Sequence, residues 1–109
     1  MTLEQMVVVI VKWFSTVGGA SLKLPSGWFG RPYDNFHRLT GARVLGNALL
    51  LELDDRQELS VSAPQSVHVE PRSLSIVGSE MIEWRWLEYG SNDPHAEVFD
   101  GGDVEFLAA

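Results

Sequence analysis

His37, His68 and His95 are the only imidazoles in the chain and its first candidates for chemistry. A zinc site usually announces itself by short spacings, such as the two histidines of His-Glu-x-x-His on one helical face. Here the intervals are 31 and 27 residues and cysteine is absent, so no local pattern builds a metal site. Asp34 precedes His37 by three residues, and a carboxylate so placed can orient an imidazole for acid–base work. Ser26 is the nearest nucleophile, but no Gly-x-Ser-x-Gly elbow surrounds it, and Ser26-Gly27 reads as a turn. Asp100-Gly101-Gly102-Asp103 with Glu105 resembles a scrap of a calcium loop. It lacks the alternating acidic ladder and the closing glutamate, so it reads as a hairpin turn, as does Asp54-Asp55. No catalytic residue, metal or cofactor is assigned on these patterns.

Two other stretches have the composition of binding surfaces. The segment Pro25–His37 combines Trp28, Phe29 and Tyr33 with Arg31, Asp34, Asn35 and His37, punctuated by two glycines and two prolines. Proline and glycine fix unusual backbone angles, so the segment reads as a specified loop. It serves either as a plug over the core or as a pocket in which aromatic faces supply area and polar groups supply direction. Arg31 and Asp34 are spaced to pair and hold its shape. The second stretch is Met81–Tyr89, with Trp84, Trp86 and Tyr89. It reads as the longest strand, central and covered on both faces, or as an aromatic patch for a partner chain.

The elements that must carry these residues follow from periodicity. Thr2 and Gln5 have capping-box spacing. Leu3, Met6, Val7, Ile10, Trp13, Phe14 and Val17 then recur at three- and four-residue intervals, the mark of one helical face, and Gly18-Gly19 supplies a stop. Val8, Val9 and Val11 widen the apolar surface beyond one stripe. From Ala20 the pattern alternates instead. Leu39–Leu45 and Ala48–Leu53 flank Gly46-Asn47, a two-residue hairpin loop. Gln57–Ala63, Val67–Glu70 and Ser73–Ile76 each bury one face and wet the other. The expected architecture is α+β and mostly β. An N-terminal helix (1–19) precedes an antiparallel meander of about seven or eight short strands (20–109), forming a small barrel or strongly curled sheet.

Length and charge set the outer limits. A chain of 109 residues fits one domain. The absence of cysteine and of any long apolar run favours a soluble, unprocessed, cytoplasmic protein. A net charge of −7 argues against nucleic acid as a partner. The charge is uneven: residues 1–50 carry a net of +3 and residues 51–109 a net of −10. That asymmetry means either an interleaved surface or two opposed faces. The expected function is a small non-catalytic protein-interaction or ligand-binding domain, with a homodimer as one form of it. The alternative is a small enzyme or small-molecule carrier with its pocket under the loop 25–37.

Overall fold

The structure, a computed structural model, describes residues 1–29, 35–87 and 96–108. Its elements are α1 (Leu3–Val17), β1 (Ala20–Leu24), β2 (Gly27–Trp28), β3 (Leu39–Leu45), β4 (Ala48–Leu53), β5 (Gln57–Ser62), β6 (Ser66–Glu70), β7 (Ser73–Ser79), β8 (Met81–Trp86), β9 (Ala96–Phe99) and β10 (Gly102–Ala108). The strands form two five-stranded antiparallel sheets, ordered β2-β1-β10-β7-β6 and β3-β4-β5-β8-β9.

The helix forms as its cap specifies. The Gln5 amide donates to Thr2 Oγ1 at 3.1 Å, and the Thr2 amide donates to Gln5 Oε1 at 2.8 Å. Gly18 ends it at φ 81°, its amide donating to the Phe14 carbonyl, a left-handed conformation open to glycine. Met6, Ile10, Trp13 and Phe14 are buried. Burying each such side chain contributes about 1.5–3 kcal/mol, which outweighs the weak helix propensity of the valine run. The helix packs on β3, β4 and β6 and so bridges an edge strand of each sheet.

The expected barrel is not formed. The two sheets stay separate, with β3 and β9 at the edges of one and β2 and β6 at the edges of the other. There are ten strands among the described residues, not seven or eight. The physical reason lies in long strands that bend from one sheet into the other. Gln57 faces Trp86 and Ser62 faces Met81; beyond the corner Ser66 faces Val77 and Glu70 faces Ser73. The register never slips, so β5–β6 and β7–β8 are the two arms of one hairpin folded across its middle. Gly78, at φ 71°, sits inside that fold, where an added Cβ would lie 2.6 Å from the Gln65 side chain. The segment 100–103 is likewise a corner rather than a hairpin turn, because β9 and β10 lie in different sheets.

The inner faces of both sheets meet in one core. Leu22, Leu74, Ile76, Val104 and Phe106 from one sheet join Leu49, Leu51, Leu59, Val61 and Ile82 from the other, all fully buried. Phe14 reaches this core from the helix, edge-on to Phe106 at 5.0 Å. The outer face of β8 is wet: Arg85 and Met81 are exposed, and Arg85 Nη2 donates to Glu83 at 2.7 Å. That hydrogen bond, reinforced by the Glu83 charge, holds the Arg85 guanidinium above its ordinary pKa. Strand β8 is therefore not covered on both sides, and it stops at Trp86, one residue shorter than β3, β7 and β10. The halves of opposite charge interleave: β1 from the basic half lies beside β10 from the acidic half, with Lys23 Nζ 3.7 Å from Glu105. No helix among the described residues is long and apolar enough to cross a membrane.

Candidate functional site

The β3–β4 hairpin returns the chain to where it began, and this places Asp54 against His37. Asp54 Oδ2 lies 2.7 Å from His37 Nδ1, and Asp54 Oδ1 accepts from the Arg38 amide at 2.9 Å. An ionised carboxylate can only accept, so Nδ1 carries the proton of the first bond. Asp54 and Asp55 both hold left-handed backbone, at φ 57° and 56°. The Arg56 amide closes this turn on the Leu53 carbonyl, and the Asp55 amide donates to Thr40 Oγ1. Such backbone costs something for residues other than glycine, though aspartate tolerates it better than most. Here it aims the Asp54 carboxylate at the imidazole.

His37 itself is 2% exposed. Its backbone exchanges two hydrogen bonds with Ala20, at 2.8 and 2.9 Å, which fixes the ring's starting point. Its Nε2 has no hydrogen-bond partner among the described residues. A buried polar atom left so costs about 1–3 kcal/mol, and native structures hold few of them. The imidazole lies in the wall of an open cleft of about 610 Å³. Phe29, Asp54, Gln57 and Trp86 form the rest of the wall, and the exposed Arg38, Thr40, Asp55 and Arg56 form the rim. The Phe29 ring packs on Trp84 at 4.5 Å and lies 6.1 Å from the His37 ring. Trp84 is anchored below by its Nε1–H, which donates to the buried Gln57 Oε1 at 3.0 Å. The Arg38 and Arg56 guanidiniums make no ion pair or hydrogen bond with other described residues.

The residues singled out by sequence divide into three groups. His37, Phe29 and Trp86 come together in the cleft. Asn35, Trp84 and Trp28 serve elsewhere. Asn35 is buried and pairs both ends of its amide with the Leu22 backbone, at 2.8 and 3.1 Å, standing in for a neighbouring strand. Trp84 is a core residue. Trp28 is 56% exposed, with Lys23 Nζ 5.6 Å above its ring. Arg31, Tyr33, Asp34, Tyr89 and His95 lie outside the described residues, and with them the Arg31–Asp34 pair. His68 is solvated on its strand, 3.1 Å from Ser66 Oγ. Among the described residues no three His, Asp or Glu side chains gather as a metal site would require.

Sequence reasoning missed Asp54, Arg38, Arg56 and Gln57. A signal for the first was present. Counting back from the Gly46-Asn47 loop along a hairpin puts Asp54 opposite Leu39 and Asp55 opposite Arg38, beside His37. No protein-family model, curated protein or solved structure matches the chain.

Proposed function

We propose that the protein is a small non-catalytic ligand-binding domain whose site is the cleft around His37. The observation that carries this reading is the imidazole itself, oriented by Asp54 in a cleft wall, with no partner for its buried second nitrogen among the described residues. A purely structural histidine would be expected to have both nitrogens satisfied. The lining favours a planar ligand with an acidic group, an aromatic carboxylate. Phe29 and Trp86 offer ring surface, and two guanidiniums with no partner among the described residues stand at the rim against one such carboxylate, Asp55. Asp54 is already committed to His37 and the Arg38 amide.

The same dyad is what a general base needs. However, no hydroxyl among the described residues is hydrogen-bonded to His37, which favours binding over nucleophilic catalysis. The acidic composition and the lack of cysteine support a cytoplasmic domain that takes neither nucleic acid nor a membrane surface as its partner. The reading is tested by titrating the protein with benzoate, salicylate and indole-3-acetate while following tryptophan fluorescence. Saturable binding is expected, weakened at least about tenfold in His37→Ala and in Arg56→Ala by loss of directed or charged hydrogen bonds. Absence of saturable binding across the panel, or binding indifferent to both substitutions, would overturn it.

A further inference from the structure

The outer face of α1 has features that the cleft does not explain. Val8 points directly away from the buried stripe and is 66% exposed, and Val11 beside it is 44% exposed. Valine has poor helix propensity and gains nothing from water, so two at the crest of an exposed helix face need another reason. Lone surface apolar residues are ordinary, but Val8 adjoins Val9, which lines a groove between α1 and β6. That groove, of about 470 Å³, is lined by Val9, Trp13, Thr16, Val69 and Pro71 among others.

We propose that this face binds a second copy of the same chain, as an antiparallel two-fold pair of α1 helices centred on Val8. The charges select both the occupant and the direction. Glu4 lies four residues before Val8 and Lys12 four residues after it, both exposed and neither paired with another described side chain. In an antiparallel pair with the axis at Val8, Glu4 of each copy faces the partner's Lys12, and Val8 packs on the partner's Val8. A parallel pair would set Glu4 on Glu4 and Lys12 on Lys12. A two-fold interface lays one patch upon itself. In a protein of net charge −7, most surfaces would repel their own copy. The α1 face is electrically balanced about its apolar centre and does not.

The test is sedimentation velocity over a dilution series, with charge-reversal variants. The wild type is expected to dimerise reversibly. E4K and K12E are each expected to weaken the dimer about tenfold or more, since each places like charges together twice. The double variant E4K/K12E is expected to restore it. Because the chain has no cysteine, Val8→Cys offers a second readout. On oxidation it is expected to link two copies far faster than Val98→Cys, an exposed control on β9. A wild type that stays monomeric at high concentration would overturn the proposal. So would a dimer indifferent to E4K, or Val8→Cys linking no faster than the control.

Discussion

The ground beneath α1 and the cleft around His37 are built on different terms. Under the helix, polar groups are few and placed. Trp13 buries its ring and still donates Nε1–H to the Glu70 carbonyl at 2.9 Å, while Phe14 and Phe106 meet edge-on. Around His37 the chain buries Asn35, Gln57 and the imidazole, holds two aspartates in left-handed backbone, and gives one nitrogen no partner among the described residues. The first region stabilises the fold. The second stores local cost, and such cost is retained where a site has to be held ready.

Substitutions can break or sharpen this contrast. The largest effect is expected at Phe106→Ala, which empties the centre of the shared core and should destabilise by about 3–5 kcal/mol in chemical denaturation. Asp54→Ala comes next. It leaves the buried Nδ1 of His37 unpaired and should cost about 1–3 kcal/mol, with ligand binding lost as well. Trp84→Phe removes the bond to Gln57 and should cost roughly 1–3 kcal/mol, since the buried amide oxygen loses its partner. Asp55→Gly tests whether the turn's strain serves its neighbour. Asp55 has nearly the same φ as Asp54 but no side-chain bond among the described residues, so glycine there should be neutral or stabilise by up to about 1 kcal/mol. Asp54→Gly should destabilise instead. The smallest effect is expected at Arg85→Ala. Its ion pair with Glu83 is exposed and should be worth less than about 1 kcal/mol.

The elements were more legible than their arrangement. Thr2, Gln5 and Gly18 mark both ends of the helix because caps are local chemistry. Gly46-Asn47 marks the hairpin because a two-residue loop has few solutions. The division into two sheets was not legible. A strand that turns a corner at Gly78 keeps its alternation on both sides, so periodicity does not say which sheet each part joins. The site was half legible. His37, Phe29 and Trp86 stand out by residue type, but nearness in sequence pointed to Asp34 as the carboxylate partner of His37. The described partner is Asp54, brought there by a hairpin rather than by a loop. Trp84 and Asn35 were candidates for an interface and a binding loop and are buried instead, because β8 turns Trp84 toward the core and Asn35 completes the backbone pairing of Leu22.

The central claim is that the cleft binds an aromatic acid through His37 and its surroundings. Titration of indole-3-acetate into ¹⁵N-labelled protein tests it most directly. The account predicts saturable shifts of the Trp86 indole and of the Arg38, Asp54, Arg56 and Gln57 amides, while the amides of Met6–Phe14 in α1 stay still. No shift at saturating acid, or shifts along α1 as large as those in the cleft, would contradict it.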